Sequence, residues 1–308
     1  MDDQTLAFES AEHQLSGTLV RPDGATALAL LISGSGPIDR DSNTKRLRIG
    51  AMSAVADRLA TARVASFRYD KRGVGDSTGD YRATGLDHNI TDARAALDAA
   101  RSGFDRVFVV GHSEGALIAG QLAADDPSLA GAVLLAGSTQ NGDQILRWQM
   151  LGVSESIPTP IKWIMKVLRQ DLVRTQTKRI EKMRASTADV MRIQGIRVNA
   201  KWFREFMAYE PADALRRITS PVLAITGDKD VQVDPDDLER MAELIPGDVT
   251  THRPENLTHL LRTEDGPASV RTYRKQMKRP VDGELLDRVA DWVQERATIG
   301  NRTPHATL

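Results

Sequence analysis

Apolar positions in this chain fall into short unbroken runs, and these runs alternate with longer stretches of helical spacing. Residues 27–32 (Ala-Leu-Ala-Leu-Leu-Ile) form a continuous apolar run that ends in Ser33-Gly34-Ser35-Gly36-Pro37. A run this short, bounded by glycines, predicts a strand buried on both faces. Residues 64–70, 106–111, 131–136 and 221–226 repeat the pattern, and 249–252 predicts a last strand. Between them, residues 47–62 carry Leu47, Met52, Val55 and Leu59 at helical spacing. Residues 86–101 are Ala-rich and helical, with Thr91 or Asp92 near the first turn. Residues 283–297 gather Leu285, Leu286, Val289, Trp292 and Val293 on one helical face. Residues 4–21 alternate weakly and, with Gly17 and Pro22-Asp23-Gly24, predict an antiparallel hairpin. The alternation of strand and helix implies an α/β fold, with a mostly parallel central sheet flanked by helices on both faces.

The rhythm breaks between about 140 and 212, where no strand is evident and helical character dominates. The expected organisation is a core of residues 1–139 and 213–308 with a helical cap, 140–212, inserted after the strand at 131–136. Pro158 and Pro160 mark a break in the cap, and Pro211 its end. Trp148, Met150, Leu151, Trp163, Met165, Trp202, Phe203, Phe206 and Met207 either pack the cap helices or line a pocket. Methionine suits both uses because its shape adapts. The basic run Lys162, Lys166, Arg169, Arg174, Lys178, Arg179, Lys182 and Arg184 reads first as a solvated helix face. An anionic ligand or membrane surface is the sharper alternative. The end of the chain, from Gly300 to His305, reads as a loose tail.

Composition changes this picture mainly by exclusion. The chain has 308 residues, with 41 Lys+Arg against 42 Asp+Glu, so no global field points to nucleic acid. It has no cysteine, which excludes disulfides, thiolate metal ligands and a cysteine nucleophile. Met1-Asp2-Asp3-Gln4-Thr5 lacks the features of a signal peptide, and no run reaches the ~18 apolar residues of a membrane span. These features together lead us to expect a cytoplasmic protein.

The strongest local signal is Gly111-His112-Ser113-Glu114-Gly115, between the apolar run 107–110 and the helix-forming stretch from Ala116. Strand, G-x-S-x-G, helix is a nucleophile elbow, with Ser113 as the nucleophile. A serine hydroxyl needs a general base, and the base needs an orienting carboxylate. In such an arrangement the acid and then the base follow the serine in chain order. Asp228 and Asp230, after the strand at 221–226, are the candidate acids. His259 is the candidate base. His13 and His88 precede the acid loop, His112 belongs to the elbow, His252 falls in or after a strand, and His305 lies in the tail. The competing reading of His259 is an ordinary loop or core histidine. An oxyanion would need two backbone N–H donors. Glu114, next to the nucleophile, and Ser35, in the turn after the strand at 27–32, are the candidates. The bland reading of the Ser35 loop is a tight turn.

Assembled, these residues resemble the α/β-hydrolase superfamily, and in particular bacterial serine esterases related to the serine-aminopeptidase/monoglyceride-lipase type. Three motifs carry the resemblance: Gly34-Ser35-Gly36-Pro37-Ile38-Asp39-Arg40-Asp41, Arg68-Tyr69-Asp70-Lys71-Arg72-Gly73-Val74-Gly75-Asp76-Ser77, and Gly111-His112-Ser113-Glu114-Gly115. The resemblance implies the nucleophile at Ser113, the base at His259, and an acid three positions after a glycine, which selects Asp230 over Asp228. It also implies oxyanion donors at Ser35 and Glu114. Many relatives have His-Gly where this chain has Ser33-Gly34, a change that touches loop support rather than the donor. Asp70, Arg72 and the glycines beside them are expected to be structural, and Asp39, Arg40 and Asp41 to clamp the neighbouring loop.

The glycine pairs complete neither G-x-G-x-x-G at a helix start nor a P-loop, and no metal-binding spacing occurs. The implied activity is cofactor-independent hydrolysis of small-molecule carboxylic esters, with no metal, no nucleic-acid partner and no integral membrane segment. Peptidase, thioesterase, lysophospholipase and acyltransferase use the same chemistry, and a non-catalytic binding protein is the remote alternative.

Overall fold

The computed structural model describes residues 2–155 and 172–298. Its strands are β1 (Asp2–Ser10), β2 (His13–Arg21), β3 (Ala27–Ile32), β4 (Ala65–Tyr69), β5 (Arg106–His112), β6 (Gly131–Leu135), β7 (Val190–Ile193), β8 (Ile196–Asn199), β9 (Val222–Ile225) and β10 (Val249–His252). Eight of them form one sheet in the order β1-β2-β4-β3-β5-β6-β9-β10. The β1–β2 and β2–β4 pairings are antiparallel, and the pairings from β4 through β3 to β10 are parallel. The sheet is the mostly parallel one expected. The first hairpin turns at Ala11, which adopts a φ of 51°. Pro22-Asp23-Gly24 instead turns β2 toward β3, with the Ala25 N–H donating to the Pro22 carbonyl.

All six residues of β3 are buried, as expected for a central parallel strand. Its side chains divide by alternation between two cores. Leu28, Leu30 and Ile32 join Val109 and Leu134 on one face, under helices α2 (Leu86–Ala100) and α3 (Glu114–Asp125). Ala29 and Leu31 join Phe108 and Val110 on the other, under α1 (Ala51–Thr61) and the final helix, Gly283–Thr298. In that final helix Leu285, Val289 and Val293 face the sheet. Each large side chain sealed this way contributes roughly 1.5–3 kcal/mol.

The segment 140–212 departs from the expectation of a purely helical insertion. It contains α4 (Gly142–Glu155), helix Leu172–Arg184 and helix Ala200–Ala208, but also a β7–β8 hairpin. Gln194 and Gly195 turn that hairpin with φ of 50° and 81°. Positive φ at both central residues matches the right-handed twist of a two-residue hairpin. Asn199 then caps helix Ala200–Ala208 by accepting from the Trp202 N–H, and its amide donates to the carbonyls of Tyr81 and Thr84. That one side chain ties the segment to the loop before α2. Pro158, Pro160, Lys162, Trp163, Met165, Lys166, Arg169 and the tail from Gly300 lie outside the described residues, as do the side chains of Leu151 and Arg174.

Candidate active site

Ser113 stands between β5 and α3 with φ 57° and ψ −118°. A non-glycine residue adopts such a backbone only when its surroundings force it. The flanking glycines make the turn possible. A Cβ on Gly111 would collide with the Gly115 carbonyl, and one on Gly115 with the Ile32 carbonyl. The Ser113 N–H donates to the Leu135 carbonyl at 2.9 Å, and the Ser113 carbonyl accepts from the Ala116 N–H at 2.9 Å. Glu114 is the first residue of α3, so its backbone N–H has no partner inside the helix.

His259 arrives on a tight loop after β10. Leu257 bridges to Thr263, the Thr258 N–H donates to the Arg262 carbonyl at 2.9 Å, and Leu261 turns with φ 59°. His259 Nδ1 donates to Asp230 Oδ2 at 2.8 Å, since an ionised carboxylate only accepts. The other oxygen, Oδ1, accepts the N–H groups of Gln232 (2.8 Å) and Val233 (3.0 Å). Asp230 and His259 are both buried, whereas Asp228 is exposed. The contact therefore falls on Asp230, and it leaves Nε2 of His259 as the basic nitrogen of the ring.

His112 adds a second tie. Its Nε2 donates to the His259 carbonyl at 2.8 Å, and the two rings lie 5.0 Å apart. Burial, followed by the neighbouring His259, pushes the His112 pKa down to about 3. The ring is thus neutral and serves as a fixed donor linking elbow and histidine loop.

On the other side of Ser113, the loop after β3 approaches closely. A Cβ on Gly34 would lie 3.3 Å from the His112 carbonyl and 3.4 Å from Ser113 Cβ, so the loop packs closely on the elbow. Ser33 Oγ donates to the Asp39 carbonyl at 3.1 Å and supports the loop. Lys71 Nζ donates to the Gly34 carbonyl and to Glu114 Oε1, each at 2.6 Å. Arg40 pairs with Asp70 at 2.5 Å and with Asp76 at 2.9 Å, while Arg68 donates to Asp41 at 2.6 Å. The buried Arg72–Asp92 pair, at 2.7 Å, fixes the next loop. These charges form the loop clamp read from the sequence.

Ser35, Ser113 and Glu114 open onto one pocket, walled by Leu146, Trp202 and Phe206 and holding about 510 Å³ including its mouth. Trp202 stacks on Phe206 with ring centroids 4.6 Å apart. Among the described residues no group of three His, Asp or Glu side chains is placed to hold a metal ion. Sequence reasoning had not singled out the side-chain roles of Lys71, Asn89 and Arg262. The partners of Lys71 and Asn89, and the Ile49 carbonyl held by Arg262, are distant in sequence, and no spacing advertises them.

The family described as "Serine aminopeptidase, S33" matches residues 48–266, which is most of the chain. The chain belongs to that family. It is also 25% identical to esterase EstD of Thermotoga maritima over 301 residues, covering 93% of this chain and 68% of that protein. Among solved structures it resembles Est1E from Butyrivibrio proteoclasticus with ferulic acid bound. There the TM-score is 0.63 at 18% identity, covering 94% of this chain and 96% of that one. It resembles proline iminopeptidase of Mycobacterium smegmatis as well, with TM-score 0.62, 15% identity, and coverage of 96% and 100%. At these identities the structural likenesses speak for the fold alone, and that fold is the α/β-hydrolase fold. Among the described residues, no helix is long and apolar enough to cross a membrane.

Proposed function

We propose that this family member is a serine hydrolase that cleaves carboxylic esters through an acyl-enzyme on Ser113. The observation that carries the reading is the 2.8 Å bond between His259 Nδ1 and a backbone-anchored Asp230, with His259 tied through His112 to the elbow that holds Ser113. Ser113 Oγ attacks the acyl carbon as His259 Nε2 takes its proton. Asp230 holds the Nδ1–H tautomer and stabilises the imidazolium. The N–H groups of Ser35 and Glu114 receive the oxyanion. The alcohol leaves with the proton from His259. Water, deprotonated by His259, then cleaves the acyl-enzyme to the free acid.

The naming of relatives as esterases supports an ester substrate. The pocket supports it too. An aminopeptidase substrate brings an α-ammonium that needs a free carboxylate, but Lys71 already neutralises Glu114, the acid among the described lining residues. In this reading residues 140–212 cap a core of 1–139 and 213–308, and the enzyme acts on small-molecule esters in the cytoplasm.

A p-nitrophenyl ester series from acetyl to palmitoyl, with Ser113→Ala as blank, tests the proposal. Ser113-dependent turnover with an optimum in chain length is expected. No turnover above the blank on any ester would overturn the ester assignment.

A further inference from the structure

Lys71 and Glu114 are a buried ion pair, with 4% and 1% of their side chains exposed. Such pairs are weak contributors to stability, because desolvation offsets their attraction. What distinguishes this one is its other partners. Lys71 comes from the loop after β4 and Glu114 opens α3. Besides Glu114, the Lys71 ammonium holds the Gly34 carbonyl. Besides Lys71, Glu114 accepts from Asn89 Nδ2 of α2 at 3.1 Å and from Trp202 Nε1 at 2.5 Å. Five separate parts of the chain therefore meet at one carboxylate and one ammonium.

The Gly34 carbonyl and the Ser35 N–H belong to the same peptide unit. That unit is planar and trans, so the two groups point in opposite directions. A cation fixed on the carbonyl therefore sets the direction of the N–H. It also polarises the amide and makes the N–H a stronger donor. The same cation grips the side chain of Glu114, whose own backbone N–H is the second donor.

We infer that Lys71 and the Glu114 side chain are positioning residues for the oxyanion hole, one ion pair aligning both backbone donors, and that the Trp202 indole couples this pair to the segment over the pocket. The inference rests on the oxyanion reading of Ser35 and Glu114 above. It adds to the hole a charged support that touches no reacting atom.

The test is Lys71→Met, assayed on p-nitrophenyl butyrate and with a trifluoromethyl ketone inhibitor, whose bound hemiketal places an oxyanion in the hole. Active sites are counted with a fluorophosphonate. Loss of one oxyanion donor costs about 10²–10³ in kcat. We expect kcat per titrated site to fall about 100-fold, the inhibitor to weaken by a similar factor, and KM to change less than about threefold. A merely structural role would reduce the number of titrated sites and leave both ratios unchanged, and that result would overturn the inference.

Lys71→Met leaves a buried carboxylate unpaired, so the double variant Lys71→Met/Glu114→Gln is measured beside it. The double variant should fold and keep the kcat deficit. Recovery of wild-type kcat would mean that Lys71 only neutralises Glu114, and would overturn the proposal. Wild-type protein that the fluorophosphonate fails to label at Ser113 would remove the underlying reading as well, so the two failures are told apart.

Discussion

Two buried cations serve the loops on either side of Ser113, and they do so differently. Arg262 holds the histidine loop. Its guanidinium donates to the carbonyls of Leu260 (2.6 Å), Ile49 (2.5 Å) and Arg279 (2.9 Å), with no carboxylate against it among the described residues. Burial, then Arg279, pushes its pKa below the usual guanidinium range. Lys71 holds the oxyanion loop through one carbonyl and one carboxylate. The first arrangement sets a loop by backbone dipoles alone and ends there. The second adds an anion, Glu114, that also accepts from Trp202 of the pocket wall. The histidine loop is thus held by backbone carbonyls, and the loop at Gly34 by an ion pair that also reaches Trp202.

The largest expected effect lies at the end of the Arg262 side. Asp230→Asn should lower kcat by about 10⁴, because an amide accepts no better than it donates and no longer fixes the Nδ1–H tautomer. Asp228→Asn should stay within about twofold in the same kinetic assay, since Asp228 is exposed. Equal losses in both would break the assignment of the acid. Next comes Arg262→Met, which strands the buried Leu260 carbonyl and the part-buried carbonyls of Ile49 and Arg279. Urea unfolding should show a loss of about 3 kcal/mol or more. Stability unchanged within error would show that the guanidinium is not the staple of that loop.

The His112 tie gives a pH-dependent effect of intermediate size. Its folded pKa, about 3, lies below the ~6.5 of an unfolded histidine. The unfolded state therefore binds the extra proton first as pH falls. The contribution is complete above about pH 6.5 and is lost progressively from there down toward pH 3. Between pH 6.5 and 5, about 2 kcal/mol of stability should disappear from this group. His112→Gln should flatten that part of the urea-derived profile by the same amount. An unchanged slope would show that the ring is not buried neutral.

The smallest effect belongs to Trp202→Phe. It keeps the stack on Phe206 and removes only the N–H to Glu114. A fall in kcat of less than about tenfold, equal across acyl lengths, is the expected result. A change confined to KM for long acyl chains would make Trp202 a wall and nothing more.

Most of the sheet and much of the candidate site could be read along the chain because their causes are local. Fully apolar β3 and the elbow glycines announce themselves within a few residues, whereas the choice of Asp230 over Asp228 came from the family resemblance alone. The β7–β8 hairpin was missed because its strands are only four residues long and mostly half-buried or exposed, so neither periodicity stands out. Gln194-Gly195 between Val-Met-Arg-Ile and Ile-Arg-Val-Asn was the available signal, a two-residue turn flanked by strand formers. The start of α1 was read too early, at 47, because Leu47 sits at helical spacing. Instead Thr44 N–H donates to the Leu47 carbonyl and Asn43 bridges to Arg48, which holds that stretch as a loop. Lys71 and Arg262 were illegible for a different reason. Their carbonyl partners lie 37 and as many as 213 residues away, and only the folded topology brings them together.

The central claim is that Ser113 carries the acyl group. Acid quenching the enzyme within milliseconds of mixing with a p-nitrophenyl ester, then mapping peptides by mass, tests it most directly. One acyl group is expected on the peptide containing Ser113, absent in Ser113→Ala, whose turnover should fall by several orders of magnitude. An unmodified Ser113 peptide together with undiminished turnover in Ser113→Ala would contradict it.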